Sequence, residues 1–429
     1  MPPSFAALNQ RSLLSFFRHG SSITVATPHY SDLPRKAVFD QDLIRLPPSK
    51  FATIPVIPAK LKEIFVDRME SSLRSDFVSA VSLVTNQEEI KKYAKILIQT
   101  INEGAKKGDG ASIIMKRVFE QFARGSVTHF HLTDSFGKRV IDASTNFNPE
   151  SRQEFEDGSP ANTDFLKKVG IDNSVTLPAD SAQKILEELI NIGFAFTSLY
   201  AMGCGYPNQK ERPIFCFRTT HPQHPHVDSI NSTQSIALAL YAINADGVVK
   251  TYVADIEKIL YFLTAEEIDL LRQKVFYIPS DNDSDYGNKK DLFSILEFKS
   301  NGEPFVRFDG KPAAIHIDDS VDRSTALEMI EVIDKINVVV ERLLETGQIE
   351  SIGLKTGEFL FNRNRLTLHG RQDEKNKFGD DDTIFLADPS LLTPAGNKRM
   401  VSRILSGAPS IKEASTTPLN STQTEPQIR

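Results

Sequence analysis

The stretch H-P-Q-H-P-H-V-D-S, from His221 to Ser229, decides how the rest of the chain is interpreted. Within it, His226 and Asp228 form a His-x-Asp pair. In an extended segment, residues i and i+2 point to the same face, so an imidazole nitrogen and a carboxylate oxygen can converge on one ion. A second histidine supplied by the fold would complete a metal site of two histidines and one carboxylate with open positions. We take His369 as that third ligand.

Composition excludes several classes of protein. The chain has 429 residues, a formal net charge of -6 and 25% charged residues of both signs, so it lacks the basic stripe that nucleic-acid binding requires. Its two cysteines, Cys204 and Cys216, cannot form a disulfide framework and match no zinc pattern. No apolar run approaches the length of a membrane span. We therefore expect a small-molecule partner, a reducing compartment and no membrane association.

The composition of the N-terminus suits a targeting segment. Residues 1–30 contain Arg11 and Arg18, several serines and an apolar run, with no acidic residue before Asp32. That composition is typical of an organellar transit peptide. A short helix or ragged arm fits the same residues. We expect a cytoplasmic protein, with a mitochondrial location as the alternative.

The first half of the chain has mainly helical periodicity. Pro58 to Gly125 is predicted to be helical, and the alternating run Val127 to Asp142 is predicted to be a hairpin. That run contains a rival metal cluster of His129, His131 and Asp134. Because no downstream partner is implied, we interpret these three residues as polar groups on a strand face rather than as ligands.

The second half changes period after one helix. Asp180 or Ser181 can cap a helix that runs to Asn191 and stops at Gly193. Runs rich in β-branched and aromatic residues follow, with Asp246-Gly247 as a hairpin signal. These predicted strands are Phe194–Met202, Pro213–Thr220, Gln234–Asn244 and Val248–Ala254.

The remaining elements complete a provisional division of the chain. A capping box begins a helix at Thr264, and an amphipathic helix follows at Asp322–Glu345. Strands are predicted at Leu292–Phe308, Phe359–Asn362 and Lys398–Leu405, and disorder is predicted beyond Ser406. The predicted units are an N-terminal arm (1–40), a mainly helical region packed on the core (41–180), a core domain (181–405) and a tail (406–429).

Three stretches together resemble a known family. They are H-V-D at 226–228, T-Y-V-A-D from Thr251, and L-K-T-G-E-F-L-F-N-R-N-R-L-T-L-H-G-R from Leu354 to Arg371. They are similar to the Fe(II)/2-oxoglutarate-dependent oxygenases of the TauD and clavaminate-synthase-like family, over roughly Ser181 to Leu405. The resemblance implies an α+β protein with a double-stranded β-helix (jelly roll) core, flanking helices and a helical N-terminal region, with the iron at the mouth of the core.

The resemblance also implies roles for individual residues. His226, Asp228 and His369 match the iron ligands of the family. Thr251 falls where the family has a threonine that hydrogen-bonds 2-oxoglutarate. These four residues are therefore expected to surround the metal and its cosubstrate.

One part of the family pattern is displaced in this sequence. The family places an arginine soon after the distal histidine, because a planar guanidinium grips a carboxylate through two parallel bonds. At that distance this chain has the acidic run Asp380 to Asp382, which we interpret as an inserted loop. We expect Arg399 to hold 2-oxoglutarate, Arg403 to hold cosubstrate or substrate, and Arg371 to be the fallback. Asp309 resembles a position that contacts a substrate amine, although a turn before Gly310 explains it as well.

The implied activity is oxidation of a small molecule with Fe(II), 2-oxoglutarate and O2. We expect hydroxylation of a C–H bond of a free amino acid or a compound derived from one, with release of succinate and CO2. Asp228 favours hydroxylation over chlorination, since halogenases of this superfamily lack the carboxylate ligand. The alternatives are a zinc-dependent hydrolase with the same two-histidine, one-aspartate site, because that donor set also suits Zn2+, and a non-catalytic jelly-roll binding protein. The sequence leaves the oligomeric state open.

Overall fold

The structure is a computed structural model of the chain. It describes residues 48–75, 86–134, 182–206, 215–217, 223–228, 230, 236–278, 292–311, 314–372 and 400–406. The helices in these ranges are α1 (Ala59–Ser75), α2 (Gln87–Lys106), α3 (Gly110–Ala123), α4 (Ala182–Ala201), α5 (Ile256–Leu260), α6 (Ala265–Leu271) and α7 (Arg323–Glu345).

The strands fall into two large sheets and two short two-stranded pairings. In chain order they are β1 (Ala52–Ile54), β2 (His129–Leu132), β3 (Phe215–Phe217), β4 (Gln223–His226), β5 (Ala237–Asn244), β6 (Asp246–Asp255), β7 (Phe276–Tyr277), β8 (Leu296–Phe298), β9 (Pro304–Val306), β10 (His316–Ile317), β11 (Ser351–Lys355), β12 (Phe359–Asn362), β13 (Thr367–Gln372) and β14 (Met400–Ser406).

The two large sheets share the chain in alternation. The first has six strands in the order β1-β2-β12-β5-β14-β3, and the second has four in the order β11-β6-β13-β4. From β3 to β6, and again from β11 to β14, the chain passes back and forth between these sheets. Apart from the parallel β1–β2 pair, the neighbours in both sheets are antiparallel. The expected mixture of helix and sheet is confirmed.

Apolar side chains hold these layers together in three clusters. One joins helices α1 to α4 to the outer face of the six-stranded sheet, with Phe194 and Phe361 at its centre. A second joins α5, α6 and α7 to the outer face of the four-stranded sheet. The third lies between the two sheets and includes Val253, Leu354 and Leu360. Both sheets are therefore covered on their outer faces as well as packed together. Burial of each such side chain stabilises the fold by about 1.5–3 kcal/mol.

The strand predicted at Phe194–Met202 is wrong. Helix α4 does not stop at Gly193 but continues to Ala201. Residues 190–199 are all buried, between α2 and the six-stranded sheet. A helix that is covered on every side shows no apolar stripe, so its sequence has no 3.6-residue period to separate it from a buried strand.

Both predicted hairpins are wrong. Asp246-Gly247 does turn the chain, with Gly247 at a φ of +84°, but β5 and β6 belong to different sheets and do not pair. The turn is a corner that carries the chain from one sheet to the other. In the other case, β2 lies between β1 and β12, so both of its edges are already occupied. The second half of that predicted hairpin, 135–142, lies outside the described residues.

Other local predictions are confirmed. Thr264 and Glu267 form the capping box of α6, and the Asp322 side chain caps α7 by accepting hydrogen bonds from Ser324 N and Thr325 N. Strand β12 has the predicted bounds. The N-terminal arm (1–40), the acidic run 380–382 and the tail after residue 406 lie outside the described residues. None of the helices in the described ranges is both long and apolar enough to span a membrane.

Candidate metal centre

Backbone pairing brings the two predicted histidine ligands together. His226, at the end of β4, lies directly opposite His369 on the antiparallel strand β13. Their ring centroids are 4.4 Å apart. Asp228 follows just beyond the end of β4, and its Oδ2 lies 3.2 Å from His369 Nε2. One ligand atom from each of the three side chains lies within 4.8 Å of the other two.

The distance between two of these ligand atoms, Asp228 Oδ2 and His369 Nε2, fits a shared transition-metal ion. Two ligands that each lie about 2.1 Å from an ion and meet it at a right angle are about 3 Å apart. The 3.2 Å between Asp228 Oδ2 and His369 Nε2 matches that geometry. Both side chains are about 5% exposed, so without an ion a carboxylate would be held in a place from which most water is excluded. The set of two imidazoles and one carboxylate therefore suits a bound divalent cation.

The surroundings of His226 favour its ligand form. Its Nδ1 lies 2.8 Å from the carbonyl oxygen of His224. A carbonyl can only accept, so Nδ1 donates and the lone pair is left on Nε2, the nitrogen that can bind a metal. Burial, followed by the neighbouring charge of His369, lowers the pKa of His226 to about 4, although Asp228 and Asp309 act in the opposite direction. At neutral pH the ring is therefore uncharged and ready to coordinate.

A neighbouring segment braces the ligand pair from the side. Val227 N donates to Phe308 O at 2.8 Å, and Gly310 N donates to Pro225 O at 2.8 Å. Asp309 therefore lies beside His226. Its Oδ1 accepts a hydrogen bond from Lys311 N at 2.9 Å, which is the turn contact that the sequence suggested. Asp309 is thus both a turn residue and a close neighbour of the candidate site.

Thr251 and Arg371 lie on the same face of the sheet as the metal ligands. Thr251 is opposite Arg371 in the pairing of β6 with β13, and Val253 is opposite His369. Val253 belongs to the cluster between the two sheets, so this face points inward. Thr251 and Arg371 are both buried, at 5% and 4% exposure. A hydroxyl and a guanidinium therefore flank one side of the candidate metal centre.

The other two predicted arginines lie at or beyond the edge of the described residues. Arg403 is in β14, opposite Leu240 of β5, and Leu240 packs against the cluster between the sheets. The side chain of Arg403 and the whole of Arg399 lie outside the described residues. The placement of Arg399 directly before β14 follows from the start of that strand at Met400.

The rival cluster of His129, His131 and Asp134 is not brought together. Asp134 accepts a hydrogen bond from Ile57 N at 3.0 Å, and its carboxylate lies 2.6 Å from Lys62 Nζ. His131 Nε2 lies 3.2 Å from Glu358, and His129 Nδ1 lies 3.6 Å from Asp255. Within the ranges that the structure describes, His226, Asp228 and His369 form the one group of three or more such side chains with metal-ligand spacing.

Three residues that the sequence did not single out support the backbone around the metal ligands. Asn364 exchanges two hydrogen bonds with the backbone of Asp228. Tyr252 donates from its hydroxyl to Gln223 O at 3.0 Å, behind the sheet that carries His369. Gly370 leaves room for this contact, because a Cβ there would overlap the tyrosine hydroxyl and lie 2.7 Å from Gln223 O. The sequence signals for these contacts were the positions of Asn364 and Gly370 inside the Leu354–Arg371 stretch and of Tyr252 inside the T-Y-V-A-D stretch.

Comparison with known proteins gives a match at the level of fold. No protein-family model and no curated protein sequence matches the chain. Among solved structures, the non-heme iron oxygenase OrfP in complex with Fe is 15% identical, covers 87% of this chain and 98% of its own, and has a TM-score of 0.50. OrfP with Fe and alpha-ketoglutaric acid is 14% identical, covers 86% and 97%, and has a TM-score of 0.50. An OrfP variant with (3S)-hydroxy-L-Arg is 14% identical, covers 86% and 98%, and also has a TM-score of 0.50. The chain therefore shares the fold of this oxygenase over 86–87% of its length.

Proposed function

We propose that the protein is an Fe(II)- and 2-oxoglutarate-dependent oxygenase that hydroxylates a C–H bond of a free amino acid or an amino-acid-derived small molecule. The observation that carries the proposal is the cluster of half-buried His226 with buried Asp228 and His369, whose ligand atoms lie within 4.8 Å of one another. That cluster lies in a fold shared with an oxygenase whose structures contain Fe and alpha-ketoglutaric acid. Fold alone does not determine function, so the donor set decides the reaction class.

The strand order supports a more detailed description of the core. Eight strands, β3 to β6 and β11 to β14, alternate between the sheets in the orders β12-β5-β14-β3 and β11-β6-β13-β4. A jelly roll is built from eight strands in two facing sheets with Greek-key connections. We assign these strands to a double-stranded β-helix. In this assignment β1, β2 and helices α1 to α4 are additions to the six-stranded face.

We assign iron to this site because its donor set is the one that non-haem Fe(II) oxygenases use. Two imidazoles and one carboxylate on adjacent positions, with the remaining positions open, are the ligand set of non-haem Fe(II) oxygenases. His226 and His369 supply the imidazoles, and Asp228 supplies the carboxylate. When bound, the iron and 2-oxoglutarate supply the oxidation, in which one atom of O2 enters the substrate as hydroxyl and the other enters succinate as CO2 leaves.

The inward face of β6 and β13 supplies contacts for 2-oxoglutarate. Thr251, buried and opposite Arg371, can donate its hydroxyl to the near end of the cosubstrate. We assign the far carboxylate to Arg399, which precedes Met400 in the sequence, with Arg403 for cosubstrate or substrate. Arg371, buried opposite Thr251, is the fallback. The guanidinium fork makes two parallel hydrogen bonds to a carboxylate, so an Arg399→Lys exchange should weaken cosubstrate binding.

The protein's own part in the reaction is to orient and to exclude water. Pairing of β4 with β13 fixes His226 opposite His369, so the backbone holds the two imidazoles side by side. The burial of Asp228 and His369 keeps bulk water away from the reacting carbon. We assign the contact with a substrate amine to Asp309, whose backbone pairs with that of His226. The hydroxy-L-Arg bound to the OrfP variant supports an amino acid as the substrate class.

Spectroscopy of the reduced, oxygen-free protein tests the proposal. Fe(II) and 2-oxoglutarate should give a visible metal-to-ligand charge-transfer band that Asp228→Ala abolishes. Asp269→Ala is the matched control, because Asp269 is exposed and pairs with Arg272 at the end of α6, and it should keep the band. A folded wild-type protein without the band contradicts the proposal. Metal binding without the band would indicate the zinc hydrolase, and no metal binding would indicate a binding protein.

A further inference from the structure

Asp228 lies where the backbone leaves the sheet. Strand β4 ends at His226, so the ladder of hydrogen bonds to β13 stops two residues before the aspartate. The backbone N–H and C=O of Asp228 are buried with its side chain, which is 5% exposed. Buried backbone groups need partners, and the sheet no longer supplies them here.

A single side chain takes over that role. Asp228 N donates to Asn364 Oδ1 at 3.0 Å, and Asn364 Nδ2 donates to Asp228 O at 2.9 Å. The amide group carries a donor and an acceptor side by side, so it pairs with one residue as the backbone of a neighbouring strand would. Asn364 itself is 0% exposed, which removes competition from bulk water.

The position of Asn364 in the chain links two ligands. It lies in the turn between β12 and β13, five residues before His369. Its two hydrogen bonds therefore tie the backbone of Asp228 to the same turn that leads into the strand carrying His369. This connection fixes the separation of Asp228 Oδ2 and His369 Nε2, which is 3.2 Å.

We infer that Asn364 is a positioning residue for the metal centre: its amide holds the Asp228 backbone so that the carboxylate stays within coordination distance of an ion shared with His369. The inference rests on the proposed metal site and deepens it. Asn364 does not touch the ion, so its effect is exerted through Asp228. Outer partners of metal ligands typically change metal affinity by about 10- to 100-fold when they are removed.

The chain offers a matched control two residues away. Asn362 is also 0% exposed and lies in β12, and its amide has no hydrogen-bond partner among the described residues. Asn362→Ala and Asn364→Ala remove the same atoms from equally buried positions. Asn364→Asp adds a variant of unchanged size that can still accept from Asp228 N but no longer donates to Asp228 O while it is ionised.

The experiment is titration of the metal-free proteins with Co2+, monitored by the visible d–d bands, with thermal unfolding measured on the same samples. We expect Asn364→Ala and Asn364→Asp to weaken Co2+ binding by about 10- to 100-fold and to alter the bands, whereas Asn362→Ala keeps wild-type affinity and bands. Equal affinities for the two alanine variants would overturn the inference, as would wild-type affinity in Asn364→Asp if Asn364→Ala does not fold. A wild-type protein that binds no Co2+ would instead refute the metal site, and this inference with it.

Discussion

At the scale of single residues, four histidines on three strands have different roles because of what the fold places opposite them. His226 and His369 lie opposite each other and beside Asp228. His129 and His131 lie beside Asp255 and Glu358, and each is occupied by that carboxylate. Pairs at i and i+2 look alike in the sequence. Only the third partner separates a metal site from a polar strand face.

The metal-free protein should become less stable as the pH is lowered, partly because of His131. Burial lowers the pKa of His131 below its ordinary value of 6.5, although Glu358 acts in the opposite direction. The unfolded chain therefore takes up a proton at a higher pH than the folded one, so this contribution to stability is full above pH 6.5 and decreases as pH falls below it. Urea unfolding of wild-type protein at pH 7.5 and pH 5.5 should show a larger loss than in His131→Gln. The same loss in both proteins would contradict this assignment.

At the scale of elements, local signals predicted what is local. The N-cap at Asp322, the capping box at Thr264 and the strand Phe359–Asn362 were predicted correctly, because caps and a turn that leads into a short apolar run depend on neighbours in sequence. Helix α4 was misread at Phe194–Met202 because complete burial erases its period. The Asp246-Gly247 turn was correct as a turn but wrong as a hairpin, since the sheet that a strand joins is set by partners far along the chain. For the same reason the two hydrogen bonds between Asn364 and the Asp228 backbone could not be predicted.

Helix α7 should influence the metal centre through one contact. Asn337 Nδ2 donates to Gly310 O at 2.9 Å, and the segment around Gly310 pairs with the residues next to His226. Asn337→Ala leaves a carbonyl without this partner, so it should cost about 1–3 kcal/mol and weaken metal binding. Asp322→Ala removes the N-cap of the same helix and should cost about 0.5–2 kcal/mol. Denaturant unfolding and Co2+ titration of both variants separate the effects, and equal metal affinities would refute the contact's proposed role.

At the scale of the whole molecule, the described residues before 181, which are 48–75 and 86–134, are part of the core rather than an appendage. Strand β2 pairs with β12, and helices α1 to α3 share an apolar cluster with Phe359 and Phe361. Asp255, at the end of β6, accepts hydrogen bonds from Ser49 and Thr128, so the N-terminal segment is also tied to the sheet that carries His369. The division of the chain at residue 181 therefore marks a change in sequence pattern across a shared core.

A fragment that begins at residue 181 should not fold cooperatively. Removal of the N-terminal segment would expose the aromatic face of the six-stranded sheet and leave β12 as an unpaired edge, which favours aggregation. A fragment that begins at residue 41 keeps these partners and should unfold in a single thermal transition, as we propose that residues 1–40 form a separate arm. Calorimetry with size-exclusion chromatography measures both properties. A monomeric residue-181 fragment with wild-type unfolding enthalpy would contradict the shared core.

The central claim is that one Fe(II) ion binds the side chains of His226, Asp228 and His369. Crystals grown without oxygen with Fe(II) and 2-oxoglutarate, measured at the iron absorption edge, test it directly. The account predicts one anomalous peak about 2.0–2.2 Å from Nε2 of each histidine and from a carboxylate oxygen of Asp228, with 2-oxoglutarate on the open side. A peak elsewhere, or none between these three side chains, would contradict it.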